Sequence, residues 1–111
     1  MNKKKPISEE QKDLIEEFSF FDDWQEKYEH IIDMGKKLSM LPDKYHTNEF
    51  KVEGCVSEVF LVPKKNNGLL NFQADSNSVI TRGLIAMLLR IYSDRSPEDI
   101  INNPPEFIDK V

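Results

Sequence analysis

The sequence predicts an α+β fold, with helices packed on one face of a small antiparallel sheet. Three observations carry that prediction. Two short runs of alternating apolar and polar residues flank Asn66-Asn67-Gly68, a strong local signal for a β-hairpin. Two helix-start signals precede the hairpin, and the second opens an apolar stripe at helical spacing. After the hairpin, the stretch from Val79 to Ile91 is apolar on most of a helix's circumference, the pattern of a helix in the middle of a core.

Taken in order, Ser8-Glu9-Glu10-Gln11 has capping-box spacing, an oxygen at the N-cap and an amide three residues on. It predicts a first helix over about residues 9–17. Asp22-Asp23, followed by Gln25 and Glu26, starts a second helix. From there Trp24, Tyr28, Ile31, Ile32, Gly35 and Leu38 form one stripe. Asp33 and Lys37 form an i,i+4 pair on its exposed side. Pro42 stands just past the end, where helices stop. Residues 43–55 hold few apolar side chains and no stripe, so they read as irregular.

Next come the strands. In Ser57 to Val62, Phe60 and Val62 point one way and Val59 and Leu61 the other. In Leu70 to Asp75, Leu70, Phe72 and Ala74 share a face. Ser76 or Asn77 then caps a helix over about residues 78–92, in which Gly83 and Ala86 permit a close approach. Ser96-Pro97-Glu98-Asp99 opens another helix, with proline at the first helical position and acids in the first turn. A last turn begins after Pro105.

A chain of 111 residues is the size of one domain, 1–111, with no room for separate cofactor and substrate domains. Its net charge of −5 argues against nucleic-acid binding, which needs a basic stripe to displace counterions from phosphates. Here the only basic cluster is Lys3, Lys4 and Lys5. The longest apolar run, Gly83 to Leu89, is closed by Arg82 and Arg90, far short of the roughly 20 residues a membrane span needs. No apolar stretch follows the basic N-terminus, so no secretion signal is read. A single cysteine forms no internal disulfide, and a reducing cytoplasm is the expected compartment.

Most catalytic constellations are absent. His30 and His46 are not at metal-ligand spacing with each other or with Cys55, so no metal site is expected, and both read as solvated. The Glu9-Glu10 and Glu16-Glu17 pairs read as solvated helix faces. Cys55 differs by its setting. It lies in Val52-Glu53-Gly54-Cys55-Val56-Ser57-Glu58-Val59-Phe60, at a loop-to-strand junction. Gly54 removes a side chain beside the sulfur and allows unusual backbone angles. Both features suit a thiol that another protein must reach. The alternative is a small buried hydrophobe, a common fate of free cysteines.

The stretch Val52 to Phe60 resembles the acceptor-cysteine segment of the SufE family, the cysteine desulfuration proteins. Asp23-Trp24-Gln25-Glu26-Lys27-Tyr28, continuing from Ile31 to Leu38, is similar to the family's early helix. Ala74-Asp75-Ser76-Asn77 with Ile80-Thr81-Arg82-Gly83-Leu84-Ile85-Ala86 resembles its second signature, and Ser96 to Ile100 fits the helix after that. The four blocks occur in family order over almost the whole chain. Three positions depart from the pattern: Val56 replaces a frequent glutamine, Phe60 a frequent tryptophan, and Arg82 the usual lysine. The family's further C-terminal helical segment has no counterpart here.

The resemblance implies that Cys55 accepts sulfur as a persulfide from a SufS-type cysteine desulfurase. It further implies that Cys55 passes the sulfur to an iron–sulfur scaffold. Pyridoxal phosphate belongs to the desulfurase, and no cofactor is expected on this chain. Carrier and activator describe that role better than stand-alone enzyme. Gly54, Val56 and Ser57 form the acceptor loop with Cys55. Glu53 and Glu58 flank the thiol and disfavour its thiolate, so the resemblance combined with this charge pattern predicts activation inside the donor's site. Asp75 has two readings: a strand-end carboxylate that favours the next helix N-terminus, or, as the family signature implies, a restraint on the Cys55 loop. Arg82 pairs with Asp75 or faces the partner. Rival readings are a redox-sensing thiol, usually of low pKa and often with a resolving cysteine, and an interaction module with an inert cysteine.

Overall fold

The structure, a computed structural model, describes residues 5–54 and 57–109. In chain order they form α1 (Ile7–Ser19), α2 (Trp24–Lys36), a 3-10 turn (Asp43–Tyr45), β1 (Val59–Asn66), β2 (Leu69–Ser76), α3 (Val79–Tyr92), α4 (Pro97–Asn102) and a second 3-10 turn (Glu106–Asp109). The architecture is α+β, with one two-stranded antiparallel sheet among the described residues.

α1 begins before the capping box predicted at Ser8, and that box does not form. Pro6 is the N-cap, and its carbonyl accepts from the N–H groups of Glu9 and Glu10 at 3.0 and 3.1 Å. The earlier start lets Ile7 join Gln11, Leu14 and Phe18 on one buried stripe. In α2, Asp23 caps as expected, its carboxylate accepting from the Glu26 N–H at 2.9 Å. The stripe of α2 is buried only toward its C-terminal end, at Ile31 and Gly35, while Trp24 and Tyr28 are 71% and 50% exposed. α2 ends at Lys36, and the expected Asp33–Lys37 pair is not among the ion pairs of the described residues.

α2 buries its C-terminal part because α3 crosses it at very short range. A Cβ on Gly35 would lie 2.7 Å from the Gly83 nitrogen, so only glycines permit this crossing. The main core gathers Ile7, Leu14, Phe18, Ile31, Met87, Ile91 and Phe107. α3 supplies Gly83, Met87 and Ile91 to the interior, but Val79, Leu84 and Leu88 are exposed. The prediction of an all-round buried helix is therefore corrected. Its neighbours are α1, α2 and one narrow hairpin, too few to surround it.

The hairpin is in register from Val59–Ser76 to Asn66–Leu69. Asn67 and Gly68 take φ of 53° and 81°, the positive values that a two-residue turn joining twisted strands requires. Phe60 and Val62 bury with Leu41, against Tyr45 and Phe50, in a second small core. An irregular segment, not a helix, thus covers that sheet face. Each outer edge is also partly paired, β1 through Lys51–Phe60 and β2 through Leu70–Arg95. Near the C-terminus, Gln11 donates to the Pro104 carbonyl at 3.1 Å and accepts from the Phe107 N–H at 2.9 Å. These bonds hold Phe107 in the main core. No helix among the described residues is long and apolar enough to cross a membrane.

Candidate functional site

Cys55 and Val56 lie outside the described residues, but the chain on both sides of them is placed. On the N-terminal side, the Val52 N–H donates to the Val59 carbonyl at 2.8 Å, and the Leu61 N–H donates to the Phe50 carbonyl at 2.9 Å. The chain thus leaves the sheet after Val52 and is back on it at Val59, at one hydrogen-bonded step. Gly54 has φ of +83° with open space where a Cβ would stand. Its backbone angle, and not crowding, is what favours glycine there.

On the C-terminal side, the Glu58 N–H donates to Asn77 Oδ1 at 3.1 Å, and the Asn77 N–H donates to the Glu58 carbonyl at 3.3 Å. Thr81 donates its hydroxyl proton to Ser57 Oγ at 3.4 Å. Sequence reasoning missed Asn77 and Thr81 as loop anchors, having assigned Asn77 or Ser76 to the helix cap. Ser78 caps α3 instead, accepting from the Thr81 N–H at 3.4 Å, which leaves the Asn77 amide to the loop. Lys51 reaches across the base, its Nζ 4.0 Å from Glu58 Oε2. One of the two carboxylates flanking Cys55 in sequence therefore has a compensating cation.

Asp75 stands opposite Phe60 on the hairpin. Its carboxylate accepts from Arg82 Nη1 through Oδ1, and Oδ2 lies 3.1 Å from His46 Nε2. Among the described residues its partners come from α3 and the irregular segment, not from Ser57 or Glu58. Arg82 also donates through Nη2 to the Gly35 and Leu38 carbonyls, at 3.4 and 3.3 Å. Those carbonyls lie at and just beyond the end of α2, where the helix dipole favours a cation. One guanidinium thus ties α2, α3 and β2 together beside the loop.

His30 is half-buried and not the solvated residue that the sequence suggested, whereas His46 is exposed as expected but has partners. The His46 ring packs edge-on to Phe60 with centroids 5.0 Å apart. Its hydrogen bond to Asp75 holds the imidazole above its ordinary range, against opposing burial and with help from the charges of Asp75 and Asp43. His30 lies between the rings of Phe18 and Phe21, at 5.1 and 5.0 Å, with Nε2 2.5 Å from Glu17 Oε2. Arg90 pairs with Glu17 at 2.9 Å and with Glu10 at 3.8 Å. Glu10 and Glu17 are therefore not solvated: they turn inward because a cation from α3 meets that side of α1. Among the described residues, no cluster of His, Cys, Asp and Glu is arranged to hold a metal ion.

Comparison with known proteins gives this arrangement a family. The SufE family model, described as "Fe-S metabolism associated domain", matches residues 12–111. An uncharacterized SufE-like protein of Rhizobium meliloti strain 1021 is 37% identical over 91 residues, covering 78% of this chain and 65% of that protein. A second, from Rhizobium etli, is 38% identical over 91 residues, covering 78% of this chain and 62% of its own length. The chain thus spans less than two thirds of the length of these curated relatives. With the matched region running from α1 through the Cys55 segment to the last turn, the chain belongs to the SufE family.

Proposed function

We propose that this protein is a sulfur carrier of iron–sulfur cluster assembly. On this proposal Cys55 takes sulfane sulfur from a pyridoxal-phosphate-dependent, SufS-type cysteine desulfurase and delivers it to a scaffold complex in the cytoplasm. The observation that carries the proposal is the place of the chain's single cysteine. It falls in a SufE-family chain, within a segment whose two ends are hydrogen-bonded to the sheet and to the residues that begin α3.

The transfer is a displacement at sulfur. The Cys55 thiolate attacks the terminal sulfur of the donor's persulfide. The donor's S–S bond breaks, its cysteine leaves as a thiolate, and the new S–S bond makes a persulfide on Cys55. No net oxidation occurs, so no outside oxidant is needed. With no second thiol in the chain, the persulfide cannot collapse into an internal disulfide. Glu53 and Glu58 flank Cys55 in sequence, the latter only partly offset by Lys51, and favour a carrier that is slow to react alone and is activated in the donor's site.

Intact mass after incubation with a cysteine desulfurase and free cysteine, without reductant, tests the proposal. Wild type should gain one sulfur atom and Cys55→Ser none. The desulfurase should also turn over faster with wild type than with the variant. A folded wild type that binds the desulfurase, gains no sulfur and leaves turnover unchanged would overturn the proposal in favour of an interaction module with an inert cysteine.

A further inference from the structure

His46 sits four residues before Phe50, the first residue of the chain's return to the sheet ahead of Cys55. Its segment touches the hairpin in two places that a single imidazole brings together. The ring rests against Phe60 on β1, and Nε2 meets Asp75 on β2, the cross-strand partner of Phe60. The other ring nitrogen, Nδ1, lies 4.0 Å from Asp43 Oδ1 on the 3-10 turn. Both nitrogens thus face carboxylates. An imidazolium hydrogen-bonds Asp75 and is attracted by the charge of Asp43, whereas a neutral ring keeps neither charge attraction, and one of its tautomers turns a lone pair toward Asp75.

The other charges near the ring do not cancel this arrangement. Arg82 from α3 binds the second oxygen of Asp75 and orients that carboxylate. Lys44 and Lys64 turn to the face of Tyr45, at 5.1 and 5.2 Å from its ring centre. One carboxylate therefore joins a permanent cation on α3 to a titratable one on the irregular segment.

We propose that His46 is a protonation-dependent positioning residue. As an imidazolium it clamps the irregular segment to Asp75 and Phe60, and so holds the Phe50–Val52 stem that leads into the segment bearing Cys55. As a neutral ring it loosens that stem. Resting on the sulfur-carrier proposal, this adds a second pH control on Cys55, separate from ionisation of the thiol. The sign follows from the raised folded-state affinity for the proton. The clamp is complete below the ordinary imidazole value of about 6.5 and is lost as pH rises through the higher folded value.

The test is an NMR titration of the whole chain from about pH 5 to 9, with alkylation of Cys55 followed over the same range. The Val52 and Leu61 amide resonances should move with the midpoint of the His46 ring, and that midpoint should fall in Asp43→Asn. In His46→Gln the shared inflection should vanish. Per thiolate, wild-type alkylation should rise about two- to fivefold across the His46 midpoint, the range for one partly exposed charge pair, and His46→Gln should show no such step. A His46 that titrates while both amides stay still overturns the clamp, and the wild-type titration decides this even if a variant misfolds. Neither readout needs a desulfurase, so failure of sulfur transfer would leave this result standing and count against the carrier proposal alone.

Discussion

A Cβ added to Gly83 would lie 2.1 Å from the Ile31 carbonyl oxygen and 2.4 Å from Ile31 Cγ2. The closest approach of α3 to α2 is therefore backbone against backbone, in contact with the main core. Gly83→Ala gains about 1 kcal/mol of helix propensity, but it must force the helices apart, at a cost of about 1–3 kcal/mol or more. The clash is with a carbonyl and not a flexible side-chain end, so the cost wins. With the cost at the upper end of that range, urea unfolding should show a net loss of about 2 kcal/mol. A variant as stable as wild type would mean that the crossing yields freely.

Arg82→Gln should cost about 1–3 kcal/mol, because it strips three acceptors at once: Asp75 and the Gly35 and Leu38 carbonyls. The Arg82 and Asp75 side chains are 22% and 20% exposed, so this is not a screened surface pair. A double-mutant cycle with Asp75→Asn should return a coupling above about 0.5 kcal/mol. Strict additivity would show that the two groups touch without stabilising each other.

Gln11→Ala removes both bonds that secure the C-terminal turn, to Pro104 and Phe107. It also leaves the Phe107 N–H, in a residue only 2% exposed, without its acceptor. A loss of about 2 kcal/mol is expected. Amide exchange at Phe107 should accelerate more than at Leu14, which lies on the same face of α1. Equal acceleration at both sites would argue against a local tether.

Glu17 makes the acid limb of stability partly its own. Burial pushes its carboxyl up, but the hydrogen bonds from His30 and Arg90 and the charge of Arg90 outweigh burial and hold it below the ordinary range. A depressed carboxyl stabilises the fold above its unfolded value, near 4.5, and that contribution fades as pH falls through the lower folded value. The stability gap between wild type and Glu17→Gln should therefore be wide at pH 7 and narrow at about pH 3. Urea midpoints at the two pH values measure it, and a gap that does not change with pH would contradict this role.

Much of the local structure was legible in the residues. Asp23 caps α2, Ser96 and Pro97 open α4, and Asn67-Gly68 turns the hairpin, because each of these signals is satisfied within a few residues. Ser8 misled because Pro6, two residues earlier, was available to cap and Ile7 had a core to enter. The candidate site was legible in part for the same reason. Gly54, Cys55 and Ser57 are neighbours in the chain, and Arg82 lies seven residues from Asp75. Asn77, Thr81 and His46 were not, since their partners lie 19, 24 and 29 residues away.

The sequence by itself determined the kind and order of the elements, through periodicity, caps and the positive φ that Asn67-Gly68 accepts. Only the tertiary structure decided which parts of the α2 and α3 stripes are buried. It alone decided that an irregular segment covers Phe60 and Val62, and that one carboxylate, Asp75, joins Arg82 to His46. Periodicity records that a face is apolar. How much of that face is covered, and which charge meets which, depends on how closely distant elements approach, and here Gly35 and Gly83 set that distance.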